Sequence, residues 1–169
     1  MTDVVTPAVR SAMMGGIRGK DTKPELILRR GLFSRGVRYR LHAARLPGRP
    51  DLVIRKHKAA VLVHGCFWHA HEGCRYFRIP EGNRQFWVEK LERNKKRDAL
   101  SLENLLAAGW RVAVVWECAT RVNSEAALNT LYAFVMGDEG FVEIAGDKDR
   151  DCLEIRFERS RSTRPSVHR

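Results

Sequence analysis

At 169 residues, with 44% hydrophobic and 30% charged side chains, the chain has room for one sizeable core and not for two full domains. No apolar run approaches the roughly 20 residues of a membrane span. The start, MTDVVTPAVR, lacks the basic-then-apolar order of a secretion signal, so a cytoplasmic, reducing compartment is expected. The net charge of +11 is concentrated: residues 1–58 hold fourteen basic and four acidic side chains, residues 59–118 nine and seven, and the remainder eight and nine. A local surplus of that size is the electrostatic footprint of a polyanion binder, the alternative being a merely soluble basic protein. Four cysteines in a reducing compartment point to metal binding or chance ahead of disulfides.

In chain order, TPAVRSAMMGGI reads as a short helix halted at Gly15-Gly16. DTKPELILRRGLFSRG predicts a second helix, capped by Thr22 or Asp21 and stopped at Gly36, with Leu26, Leu28, Leu32 and Phe33 on its apolar side. VRYRL is an extended run and LPGRP a turn. DLVIR and AAVLVH then form a hairpin across KHKA. AAVLVH is almost uniformly apolar, as a strand covered on both faces is. From Arg84 to Ala108 the pattern is helical, with Phe86, Leu91, Leu102, Leu105 and Leu106 on one side and Gly109 closing it. RVAVVWE is another buried strand and SEAALNTLYAFVMG another helix. The last eleven residues, RSRSTRPSVHR, have almost nothing to bury and read as a disordered basic tail.

Strand, helix, strand in that order implies a parallel pair with a right-handed crossover. The expected architecture is α/β, a mixed sheet with helices on its faces. Parallel neighbours at 59–64 and 111–117 bring Cys66 and Cys118, just past the two carboxyl ends, to one rim. There Cys66, His71, Cys74 and Cys118 make a Cys3His set of the kind that holds structural zinc, the alternative being unrelated buried thiols. Such a closed site leaves no position for substrate.

Asp51, at the head of its strand, is a simple turn residue on local grounds. It takes another meaning if it meets His64 and His69 at that rim, because carboxylates hold Mg²⁺ and imidazole moves protons in phosphodiester cleavage. Lys90, Asn94 and Asp98 recur every fourth residue on one helical face, which by itself reads as a solvated charged face. Phe67 and Trp68, between the zinc-type ligands, suit either core packing or an exposed wedge.

The stretches LPGRPDLVI, HGCFWHAHEGC, FWVEKLERNKKRD and GWRVAVVWEC, in this order, closely resemble the very-short-patch-repair (Vsr) mismatch endonucleases over roughly residues 10–122. The resemblance implies a restriction-endonuclease-like fold with a structural zinc, and nicking of DNA beside a thymine mispaired with guanine after 5-methylcytosine deaminates. It implies that Asp51 is the principal Mg²⁺ carboxylate and His69 the catalytic histidine, with His64, Glu25 and Asp98 in support. It makes Cys66, His71, Cys74 and Cys118 the Zn²⁺ ligands. Two residues, Glu72 and Gly73, separate His71 from Cys74 where some relatives have one; a change of loop shape is expected, not of ligation. The broader superfamily carries a second carboxylate and a lysine on the strand after Pro-Asp. Here that strand reads VLVHG, so a backbone carbonyl near Val63 is expected to complete the site.

By the same resemblance Phe67, Trp68 and Trp87 are wedges between base pairs and Met14 is inserted from the minor-groove side. Lys90 and Asn94 contact the mispair, while Arg18 and Lys20 lie in an N-terminal segment, residues 1–20, that clasps the duplex. A wedge senses a mispair because a weak step unstacks at lower cost, and zinc ligands on both sides keep it stiff. The expectation is a single endonuclease domain over residues 1–158, acting as a monomer on double-stranded DNA with a T:G mismatch. A cytosine-5 methyltransferase and a repair polymerase are its functional partners. The competing readings are a restriction-type nuclease of the same fold and a zinc-bearing DNA-binding module without catalysis. Asp51 with His69 speaks against the latter, since binding alone needs neither.

Overall fold

Successive side chains of a strand point to opposite faces, so an all-apolar strand has to be covered twice. The computed structural model, which describes residues 20–147 and 149–158, does this with two layers of helix. Strands β1 (Arg40–Leu41), β2 (Leu52–Ile54), β3 (Ala59–His64), β4 (Arg111–Trp116), β5 (Phe141–Gly146) and β6 (Leu153–Glu158) form one sheet in sequential order. β2 pairs antiparallel with β3 through the predicted hairpin, whose tip is a 3-10 turn over Arg55–His57. β3 and β4 are parallel with His64 opposite Trp116, and β5 continues the parallel set. β1 and β6 are antiparallel edges, β6 exposing Ile155 and Phe157 beside charged neighbours.

Helices α1 (Lys23–Ser34) and α3 (Glu117–Met136) cover one face of the sheet, and α2 (Arg84–Ala107) covers the other. Ala59, Val61, Ala113 and Val115 share a core with Leu28 and Leu32 of α1 and Leu131 and Phe134 of α3. Their alternates Ala60, Leu62, Val112, Val114 and Trp116 pack with Leu105 of α2 and with Cys66, Cys74 and Cys118. The thiols therefore end the second core at the carboxyl end of the sheet. α1 begins in a capping box: Glu25 N–H donates to Thr22 Oγ1 at 3.5 Å, and Thr22 N–H donates back to Glu25 Oε2 at 2.9 Å. α2 ends at Gly109, whose φ of +73° suits a residue without a Cβ.

Three apolar residues leave their expected faces. Phe33, Phe86 and Leu106 are exposed, Phe33 beneath the Arg38 guanidinium, because the core-facing stripes are narrower than the apolar patterns. The last helix starts seven residues earlier than Ser124, since Glu117 to Val122 already turn helically. Asn123 then breaks the run with φ −154° and ψ 95°. β5 and β6 were not foreseen. The expected first helix, and the N-terminal segment up to residue 19 with Met14 and Arg18, lie outside the described residues, as does the basic tail from residue 159. Among the described residues no helix is long and apolar enough to cross a membrane.

The break makes Asn123 a cap inside a helix: its Oδ1 accepts the Ala126 N–H at 2.9 Å. Asn123→Ala should lower stability by about 1 kcal/mol while Asn123→Asp stays near the parent. Urea unfolding followed by circular dichroism measures both, and equal stability of parent and Asn123→Ala would deny the cap its role.

Candidate active site

Three clusters gather at the carboxyl end of β3, the first through the antiparallel β1–β2–β3 pairing and the third through the parallel pairing of β3 with β4. The first joins Glu25 of α1, His42 and Asp51, whose candidate ligand atoms all lie within 4.8 Å of one another. Asp51 stands one residue before β2, and its Oδ2 accepts the Val63 N–H at 2.7 Å across the hairpin. Burial pushes the Asp51 carboxyl up to about 6, and nearby Glu25 pushes the same way. The Val63 N–H, His42 and His69 pull it down. Glu25 is buried, and among the described residues its Oε1 has no hydrogen-bond partner. Such an oxygen is costly unless a cation faces it. Two carboxylates converging with one bare oxygen fit a divalent cation. His42 was not singled out in the sequence.

The second cluster is His64, His69 and Asp98. Asp98, on α2, lies 2.6 Å from His69 Nδ1. Burial alone would raise its pKa, but the hydrogen bond and charge of His69 outweigh that and hold it below the usual carboxylate value. An ionised carboxylate only accepts, so His69 Nδ1 carries the proton and Nε2 is left to exchange one. His64 stacks on His69 with ring centres 3.9 Å apart and planes 3° from parallel. Burial, with His69 next, depresses the His64 pKa to about 3, so His64 is neutral and adds no charge beside its partner. Asp51, His64, His69 and Asp98 line one cleft with Arg49, Arg97 and Ser101. Arg49 was not singled out in the sequence.

The third cluster is Cys66, His71, Cys74 and Cys118, with ligand atoms within 4.8 Å of one another. The Gly146 N–H donates to Cys118 Sγ at 3.1 Å and the Tyr76 N–H to Cys74 Sγ at 3.4 Å, bonds that favour thiolates. A hydrogen bond from Cys66 draws the Cys118 thiol down to about 4, and Cys66 is correspondingly raised. His71 stacks on Trp116 at 4.0 Å, which fixes its ring. Gly73, at φ +73°, turns the chain between His71 and Cys74, and Glu72 ion-pairs with Lys95 of α2 at 2.6 Å, while His71 and Cys74 both keep their place in the four-residue cluster. Three thiols and an imidazole suit zinc by donor chemistry.

Between the second and third clusters, Phe67 and Trp68 are half-buried. They meet edge to face at 5.2 Å, and Trp87 of α2 lies 5.2 Å from Phe67 and 6.1 Å from Trp68. Lys90 Nζ sits 5.3 Å from the centres of both indoles. Asn94 donates its side-chain N–H to the Trp68 carbonyl at 2.9 Å, tying this loop to α2. Lys20 is exposed, before α1.

Residues 2–75 match the profile of the family described as DNA mismatch endonuclease Vsr. The DNA mismatch endonuclease Vsr of Escherichia coli (strain K12) is 38% identical over 148 residues, covering 85% of this chain and 94% of its own. The chain belongs to the Vsr family. Two further relatives are named type II nicking enzymes: V.XorIIP of Xanthomonas oryzae pv. oryzae is 46% identical over 70% of this chain and 86% of its own. V.NmeAIP of Neisseria meningitidis is 45% identical over 70% and 84%. The matched Vsr region includes the Pro50-Asp51 turn and the stretch from His64 to Cys74.

The raised Asp51 pKa has a sign that can be checked. A carboxyl titrating at about 6 when folded and at 3.8 ordinarily stabilises the fold fully only below pH 4, and that contribution is lost as pH rises through 6. In magnesium-free buffer at pH 7.5, Asp51→Asn should be more stable than the parent by on the order of 2–3 kcal/mol. The gap should close between pH 6 and pH 4 in urea unfolding. A gap independent of pH would contradict the burial of an ionised Asp51.

Proposed function

We propose that this Vsr-family chain is a DNA endonuclease that nicks one strand of a duplex, 5′ to the thymine of a T:G mispair, in a Mg²⁺-dependent hydrolysis. The observation that carries the reading is one cleft in which Asp51, His69 and Asp98 meet, with Phe67 and Trp68 on the same short loop as His69. The names of the relatives, a mismatch endonuclease and nicking enzymes, support a nuclease that nicks DNA at mismatches.

Glu25 and Asp51 would hold the magnesium, which supplies Lewis acidity at the phosphate. His69 exchanges a proton at Nε2 while Asp98 fixes its tautomer, and His64 buttresses its ring. Arg49 and Arg97 flank the same cleft and offer charge to a phosphate. The block Phe67, Trp68 and Trp87, capped by Lys90, is the wedge that tests stacking; Asn94 braces it through Trp68, and Met14 enters from the other groove. Arg18 and Lys20 belong to the clasp. The Cys66, His71, Cys74 and Cys118 set would carry structural Zn²⁺ that stiffens the wedge, on a restriction-endonuclease-like fold. The product keeps a 3′-hydroxyl for a repair polymerase, and the mispairs derive from the work of a cytosine-5 methyltransferase. The chain acts alone as a monomer in the cytoplasm.

End-labelled duplexes bearing T:G, T:A or C:G at one position, incubated with Mg²⁺, test the reading. Single-strand nicking of T:G only is expected. Cutting of the paired duplexes would make it a restriction-type enzyme, and binding without cleavage a DNA-binding module. His69→Ala should slow nicking by about 10²–10⁴-fold, and Asp51→Ala should abolish it with the fold intact by circular dichroism.

Cys118→Ser should lose zinc and melt at lower temperature, because structural zinc contributes folding energy. Metal analysis and a thermal scan decide it, and unchanged zinc content would remove Cys118 from the ligand set.

A further inference from the structure

We propose that His42 is a ligand of the divalent cation at Glu25 and Asp51, and that its nitrogen tunes the site toward Mn²⁺-class ions over Mg²⁺. The inference rests on the reading that Asp51 holds a metal, and adds a residue and a selectivity to it.

The His42 imidazole stands between the two carboxylates, with Nε2 3.8 Å from Glu25 Oε1 and Nδ1 3.8 Å from Asp51 Oδ1. Both distances are too long for hydrogen bonds. The other oxygen of each carboxylate is already engaged: Glu25 Oε2 accepts from Thr22 N–H and Oγ1, and Asp51 Oδ2 from Val63 N–H. The oxygens turned toward the imidazole are therefore the spare ones. Glu25 is only 2% exposed, and among the described residues its Oε1 is buried without a donor. A bound cation would satisfy such an oxygen.

The three residues can converge on one shared ion. Candidate ligand atoms lie within 4.8 Å of one another, and small side-chain rotations bring that span to two Mg²⁺–ligand bonds of about 2.1 Å each. His42 also holds φ at +45°, in the left-handed region. Its N–H donates to the Asp51 carbonyl at 3.2 Å, which keeps both residues in step. Left-handed backbone at a non-glycine residue is retained where the surrounding structure over-determines it, most often at functional sites.

The donor set decides the selectivity. Mg²⁺ favours oxygen and retains water, whereas imidazole raises affinity for Mn²⁺ and later first-row ions. Two carboxylates with one imidazole make a mixed site, so the chain should bind Mn²⁺ more tightly than Mg²⁺.

The test is Mn²⁺ titration of the full-length, zinc-replete protein by electron paramagnetic resonance, with Mg²⁺ as competitor, on the parent, His42→Gln, His42→Asp and Asp51→Ala. His42→Gln should weaken Mn²⁺ binding roughly tenfold or more and Mg²⁺ binding far less, and should remove a ¹⁴N coupling from the bound Mn²⁺ in pulsed spectra. His42→Asp, which supplies oxygen in place of nitrogen, should shift the ratio toward Mg²⁺. Unchanged Mn²⁺ affinity and nitrogen coupling in His42→Gln, with binding still lost in Asp51→Ala, would overturn the role of His42 alone. Absence of divalent binding in the parent would overturn both the role and the reading it rests on.

Discussion

The parallel pairing of β3 with β4 is the constraint on which the rest depends. Register sets His64 opposite Trp116, so the two chains leave the sheet side by side and reach Cys66 and Cys118 two residues later. A slip of one residue would turn every side chain of the shifted strand to the opposite face. It would also separate the two thiols. Trp116 gains a double role from the same register: His64 meets its edge at 5.1 Å and His71 stacks on its face at 4.0 Å. One buried indole thus locates a histidine of the cleft and a histidine of the thiol cluster.

Chemistry keeps the neighbouring clusters apart. Thiols with imidazole suit a soft ion and carboxylates a hard or borderline one, so the two donor sets would not compete for the same metal. Between them lies a histidine pair whose close stacking depends on His64 being neutral. Burial at the carboxyl end of β3 supplies that neutrality. The aromatic block is fastened on both flanks, by the thiol loop and by the Asn94 bond to Trp68.

The sequence carried the hairpin, the parallel pair and the convergence of Cys66 with Cys118 because each follows from a short apolar run and its order. Glu25 was legible only through family resemblance; in isolation it is a capping-box residue, and its second oxygen gives no local sign of what it faces. His42 was not legible at all, since its meaning arises from a left-handed backbone that no neighbouring residue announces. β5 escaped notice because Glu143 interrupts its apolar pattern, and that carboxylate is accommodated by accepting the Trp116 indole N–H at 2.7 Å, a tertiary contact. Phe33, Phe86 and Leu106 show the converse error: periodicity marks a face, but the neighbours decide how wide it is.

The far border of the sheet has its own consequence. Among the described residues β6 is paired on one side, by β5, and its exposed Ile155 and Phe157 are interleaved with Glu154 and Arg156. Such a ribbon invites a neighbour to zip on. Glu154 and Arg156 instead clasp each other at 2.7 Å on one side of it. Desolvating that pair to admit another strand is unfavourable, so charge acts as a gatekeeper and the ribbon ends the sheet.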